Sequence, residues 1–407
     1  LNTGSTPAAA NNSGKDLKIA TNGDVYYSNN GQLWRKDVST GAWSNITPAG
    51  SFARIEIAIA PSDANFVYLL CQHGTSVVVN GFFSSNDKGA TWRSRTIPLI
   101  YDQNAVPTVE LSRNQAWYDL SLAVDPNVAT TVYAGAIDYI KSVDTGATYK
   151  QISAWALFNM PSSANLGSAQ KIHADNHILV FKPGSSDTAL FGHDGGLSRS
   201  FNMSNVYPSM PTYTTINTNY NVTQYYACAM ANVAGSNNFL AGAQDNGTHK
   251  YSAAGVNSTT QVSGGDGAYC FIDENSPLNQ ISAYTNNQYY MSTDGVNFNA
   301  VTGSDGTGDF INPSDLDGIN NILYSKRASN QIRRWSNIFA TNTRTDIILS
   351  GISGDVSHIK VSPNTATTLY IGTNNGNVYR LTSANTVSGT VTPTKLNTTA
   401  FGGNISC

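Results

Sequence analysis

In the run Ile172-His173-Ala174-Asp175-Asn176-His177, two histidines and an aspartate alternate. On an extended strand, positions i, i+2 and i+4 face the same way. His173, Asp175 and His177 would then present two imidazoles and a carboxylate together, a donor set that suits a divalent metal ion. The plainer reading is a brace, in which the three hydrogen-bond to neighbouring strands. Further polar residues stand in glycine-bounded segments: Gly192-His193-Asp194-Gly195, Gln244-Asp245-Asn246-Gly247 and Gly264-Gly265-Asp266-Gly267. Asn246-Gly247 accounts for a tight turn, but Gln244 and Asp245 exceed what a turn needs, and an amide beside a carboxylate suits sugar hydroxyls. The Gly264-Gly265-Asp266-Gly267 run has no helix after it and no lysine near it, which argues against a phosphate loop. Trp117-Tyr118-Asp119 adds aromatic surface next to an acid. Asp119, Asp175, Asp245 and Asp266 are candidates for a glycosidase carboxylate pair, although nothing in the sequence selects two of them.

The elements that must position these residues are short β-rich runs separated by turns. Residues 122–152 show the unit: an apolar run ending in Asp125-Pro126, a second run Val132-Tyr133-Ala134-Gly135, a third at 137–141, and then Ser142-Val143-Asp144-Thr145-Gly146-Ala147-Thr148-Tyr149. Such patterning is the mark of antiparallel sheet. Related units begin near residues 16, 52, 178, 223, 268, 309 and 359, with inner runs ending at Pro61, Pro183 and Pro363. Eight copies spaced about 35 to 60 residues apart predict an all-β protein, a β-propeller of about eight four-stranded blades. Seven blades are the alternative, if the first and last copies merge. One sheet cannot bury both of its faces, whereas blades packed face to face can. Strands alternate in direction, so the loop leading into strand one and the loop joining strands two and three share one end of each blade. The polar residues of copies three to six named above all fall at that end.

Composition bounds the reading. Charged residues make up 12% of the 407, and the net charge of −3 comes with no basic cluster. That leaves no nucleic-acid footprint. No apolar run approaches transmembrane length. Residues 1–15, small and polar, read as a linker or a processed lead-in, leaving 16–407 as a single propeller domain of a longer chain. Of four cysteines, Cys71, Cys228 and Cys270 fall in predicted strands and read as buried thiols rather than a disulfide framework.

Ser85-Asn86-Asp87-Lys88-Gly89-Ala90-Thr91-Trp92 and residues 142–149 match the Ser-x-Asp-x-Gly-x-Thr-aromatic Asp-box, with a shorter version at 292–298. With the histidine and aspartate segments above, the chain resembles secreted bacterial BNR-repeat propellers, relatives of sialidase-like, sortilin-like and xyloglucanase-like propellers. The resemblance implies that Asp-box residues are structural, with Trp92 and Tyr149 folded back as buried plugs of their own hairpins. It also implies a secreted or cell-surface location. Sialidase activity would call for an Arg-Ile-Pro motif, whereas Arg54-Ile55 is followed by Glu56. Xyloglucanase relatives set catalytic aspartates from two propellers across a cleft, and this chain has one propeller's length. The expectation is a propeller that binds glycan or a surface protein through Trp117, Tyr118, Asp119, His173, Asp175, His193, Asp194, Gln244, Asp245, Asn246 and Asp266, as in an adhesin module. The alternative is a carbohydrate-active enzyme working at the same end. His173, Asp175 and His177 stand as the metal candidates.

Overall fold

The computed structural model describes residues 14–406 except Asn221, Val256, Asn257 and Ala366, so most of the lead-in and Cys407 lie outside the described residues. Among these residues the regular structure is β-strand apart from two short 3-10 turns, Ser162–Ala164 and Ser168–Gln170. The chain divides into two compact units, Leu1–Asn221 and Val222–Cys407.

The first unit holds four antiparallel meanders in chain order. Sheet one runs from strand Gly14–Ile19 to Trp43–Asn45, sheet two from Phe52–Ile59 to Arg93–Ser94, sheet three from Ser121–Val124 to Lys150–Gln151, and sheet four from Asn176–Phe181 to Thr214–Thr215. Gly14 and Lys15 therefore belong to the first strand rather than to the lead-in. A two-stranded ribbon, Leu99–Ile100 with Val109–Glu110, lies in the connection between sheets two and three. The first strands of consecutive sheets are neighbours.

Core residues lie between the sheets, and the sequence shows why. Strand Val67–His73 of sheet two is buried over nearly its whole length. Its alternate side chains serve two different cores: Val67, Leu69 and Cys71 meet Tyr26 and Leu33 of sheet one, while Tyr68 and Leu70 meet Val132 and Ala134 of sheet three. A sheet covered on both faces needs no polar alternation. The outermost sheets differ. Sheet one exposes Leu17 and Ile19, and sheet four exposes Ile178, Val180 and Leu190.

The Ser-x-Asp turns link strands three and four of their sheets. Asp87 accepts from Ser85 Oγ at 2.6 Å, Thr91 N at 2.9 Å and Thr91 Oγ1 at 2.5 Å. Asp144 does the same with Ser142 and Thr148. In the shortened copy Asn297 replaces the threonine, donating its backbone N–H and side-chain amide to Asp294. Gly89 and Gly146 both sit at φ +84°, where a Cβ would be strained. Trp92 and Tyr149 are half-buried rather than fully buried, and the Trp92 ring lies against Gly89 of its own turn. Trp92 donates to Ile46 O of the sheet-one segment at 2.6 Å, and Tyr149 accepts from Leu99 N of the ribbon at 2.9 Å. An indole or phenol needs a partner for its polar end, and the preceding segment offers one.

The second unit repeats the plan. Sheet five runs from Ala227–Met230 to Thr260–Ser263, sheet six from Cys270–Ile272 to Asn299–Ala300, and sheet seven from Ser314–Asp317 to Thr343–Leu349. Sheet eight comprises Val356–Val361, Leu369–Thr373, Val378–Leu381 and Thr394–Lys395. Before its last strand the chain makes a detour, and Gly389–Val391 pairs in parallel with Thr343–Leu349 as a fifth strand of sheet seven. Ile405 and Ser406 do not begin another strand; Ile405 instead donates to Thr373 O and accepts from Ser357 Oγ. Cys71 and Cys270 are buried, but Cys228 lies on the exposed side of its strand.

Candidate functional site

Two pieces of backbone build the polar end of the first unit. The loop leading into sheet three is held by Arg54, which pairs with Glu56 at 2.7 Å and donates to Tyr118 O at 2.9 Å. In sheet four, Asp194 N donates to Asp175 O at 3.2 Å, joining the two–three turn to the residues just before the first strand. The alternation of strand direction thus brings both segments to one end. Gln115 Nε2 donates to Asp175 Oδ1 at 2.9 Å. Tyr118 donates to Asp194 Oδ2 at 2.8 Å, and His177 Nε2 lies 2.7 Å from Asp194 Oδ1. The Tyr118 ring meets His177 edge-on at 4.8 Å and Trp117 at 5.4 Å, and Trp117 is 60% exposed.

Behind this face lies Asp119, 0% exposed, with neither carboxyl oxygen meeting a hydrogen-bond partner. Burial above all, then the charge of Asp175, pushes its acid up to about 9. Asp175 is raised too, by burial and then by Asp194, against the hydrogen bond from Gln115. His193 is driven the other way, down to about 4, by burial and then by His173. Its ring stacks on His173 at 5.7 Å, and its Nε2 is 2.9 Å from the buried Ser198 hydroxyl. At neutral pH the interior of the site holds a neutral acid and a neutral imidazole.

The pentapeptide does not form the one-sided strip its spacing suggests. Asp175 has φ +59°, and the pairing slips between Asn176 and Ile178, so only His177 of the metal candidates lies on the extended strand Asn176–Phe181 and the three are turned apart. His173 faces His193, Asp175 faces Gln115, and His177 faces Asp194. The carboxylates do converge: oxygens of Asp175 and Asp194 lie within 4.8 Å of one another, with His177 alongside on Asp194.

In the second unit, residues 244–246 join strands Phe239–Ala243 and Gly247–Tyr251. Asp245 sits at φ +58° and donates its N–H to Asp266 Oδ1 at 3.1 Å. Asn246 Nδ2 donates to Gln244 O, while Asn246 O lies 2.8 Å from His249 Nε2 and accepts from Gln261. Tyr226 donates to Gln244 Oε1. The phenols of Tyr226 and Tyr284 are both raised by burial first, then by Asp245 and Asp266 for Tyr226 and by Asp266, Tyr290 and Asp245 for Tyr284. Gly267 fits only because it lacks a Cβ, which would stand 2.2 Å from Gly247 O.

Sequence reasoning missed Gln115, Tyr226 and Tyr284. Tyr284 directly follows the second strand of sheet six, Gln280–Ala283, the same place that Asp194 occupies in sheet four. Aligning the two–three turns of every copy would have found it.

The protein is an all-β chain of consecutive four-stranded antiparallel meanders whose strand-joining loops gather acids, amides and aromatic rings. No family model and no curated protein matches it. Among solved structures it is similar to the GH74 xyloglucanase from Xanthomonas campestris, at 15% identity and a TM-score of 0.49 over 93% of this chain and 63% of that one. This chain thus spans less than two thirds of that enzyme. It is also similar to the GH74 enzyme of Niastella koreensis, at 14% identity and a TM-score of 0.32 over 91% and 84% of the two chains. A further similarity is to PorZ, a surface component of the type-IX secretion system of Porphyromonas gingivalis, at 12% identity and a TM-score of 0.41 over 92% and 48%.

Proposed function

We propose that the chain is a secreted or cell-surface β-propeller domain of the Asp-box kind, its meanders serving as blades, and that it binds glycan. The observation that carries this reading is Trp117, 60% exposed beside Tyr118, with the carboxylates of Asp175 and Asp194 next in the same cluster. A flat aromatic face packs on the C–H face of a sugar ring, and carboxylates accept its hydroxyls. In the second unit Gln244, Asp245, Asn246 and Asp266, with Tyr226 and Tyr284, form a polar and aromatic set of the same kind. A glycan array probed with and without EDTA tests the reading. Trp117→Ala should abolish the signal and leave the melting temperature unchanged, because so exposed a ring contributes little packing. Full binding by that variant would overturn it.

A second reading, glycoside hydrolysis, is favoured by Asp119. A carboxyl whose acid is pushed up beside other carboxyls is the arrangement of a general acid with its partner base. Release of reducing sugar from soluble polysaccharides, lost in Asp119→Asn, would support it. Binding without any turnover would leave the first reading alone.

A further inference from the structure

Neither Asp119 nor Asp175 has a lysine or arginine in any ion pair among the described residues. The nearest guanidinium, Arg54, is matched by Glu56 and donates to the Tyr118 and Leu120 carbonyls. Asp119 is fully buried with both oxygens unpartnered. It belongs to the loop whose Gln115 and Tyr118 reach Asp175 and Asp194. A buried carboxyl without a hydrogen bond is unfavourable unless something neutralises it.

We propose that this end of the first unit binds a hard divalent cation, Ca²⁺ by its donor chemistry, between Asp175 and Asp194, with Asp119 as the buried carboxyl behind them. The two carboxylates present oxygens within 4.8 Å of one another, a separation one ion can bridge. Of the imidazoles that would favour a transition metal, His173 is stacked on His193, and His177 is held as a hydrogen-bond partner of the Asp194 carboxylate. The hard donors of the cluster are oxygens: the carboxylates, the Gln115 amide and the Tyr118 hydroxyl. The proposal rests on the same cluster as the glycan reading, and the ion would order the acids that face a sugar.

The test is calorimetric titration of CaCl₂ into EDTA-stripped protein at pH 7.5, with no glycan present. Saturable one-site binding is expected, with Kd of about 10⁻⁴ to 10⁻³ M, the span of extracellular Ca²⁺ modules. Asp175→Asn and Asp194→Asn should each weaken it roughly tenfold or more, as loss of one charged ligand does. Asp119→Asn, isosteric and neutral, should weaken it as well while folding at least as stably as the parent, so the loss cannot be assigned to unfolding. Trp117→Ala should bind Ca²⁺ like the parent even where glycan binding is lost, which separates the two readings. No saturable heat in the parent, or unchanged affinity in both Asp175→Asn and Asp194→Asn, would overturn the proposal.

Discussion

Replacing Asp119 by asparagine should stabilise the protein at neutral pH. The side chain is 0% exposed and unpartnered, and its acid is raised from 3.8 to about 9. The native state therefore keeps a proton that the unfolded chain releases above its own value. Stability contributed by this group is fully present below that unfolded value and is lost as pH rises toward the folded one, at about 1.4 kcal/mol per pH unit. At pH 7 the interval from 3.8 is 3.2 units, or about 4 kcal/mol; an effective dielectric near 20 lowers the expectation to about 2 to 4 kcal/mol. Asparagine keeps the shape, never ionises and removes that penalty. Its advantage should vanish near pH 4 and grow with pH up to about 9. Urea unfolding at pH 4.5, 6.0 and 7.5, in EDTA, measures it. Tryptophan fluorescence reports mainly the first unit, since Trp34, Trp43, Trp92, Trp117 and Trp155 lie there and only Trp335 lies in the second. A difference that is flat across pH, or a variant weaker at every pH, would refute the reasoning.

Lys141 is buried, and its Nζ donates to Met203 O, Ser204 O and Asn205 O at 2.8, 3.1 and 3.0 Å. Lys141→Met takes this donor from the Ser204 and Asn205 carbonyls, while Met203 O keeps the Tyr133 hydroxyl, and should lower stability by about 2 to 4 kcal/mol, read by the same fluorescence titration. Burial pulls the Lys141 amine down to about 8, so through this group the parent should gain stability between pH 8 and the unfolded value of 10.5. Gly267→Ala places a methyl 2.2 Å from Gly247 O, a backbone atom that cannot swing aside. Overpacking there should weaken the second unit by about 2 to 3 kcal/mol. Amide hydrogen exchange should show the loss in sheets five and six and none in sheets one to four.

The meanders were legible because alternation and turn chemistry are local. The Asp125-Pro126 step and the Ser142-to-Tyr149 turn each write their geometry within a few residues, and Asp144 indeed gathers Ser142 and Thr148. The site was legible in its members but not in its grouping. His173, Asp175 and His177 look aligned only if the chain is extended, and no residue type announces the left-handed backbone at Asp175. Asp119 was named as a candidate, but its isolation depends on which neighbours turn toward it, and a linear sequence does not record that. The polar partners of the Asp-box aromatics were hidden for a similar reason. Trp92 finds its hydrogen-bond partner at Ile46, far back in the chain.

The parallel strand Gly389–Val391 changes the order in which the last part of the chain can be completed. Sheets one to six each close from a contiguous stretch, so a nascent chain can finish each soon after its own residues leave the ribosome. Sheet seven cannot. Its outer edge, Thr343–Leu349, stays open until the third strand of the following sheet, Val378–Leu381, has already been made. An unpaired strand edge is a template for wrong partners, so synthesis passes through an interval in which this edge is available to other chains. The same lacing then makes the last two sheets one cooperative block, in which fraying at the C-terminal end is felt by both.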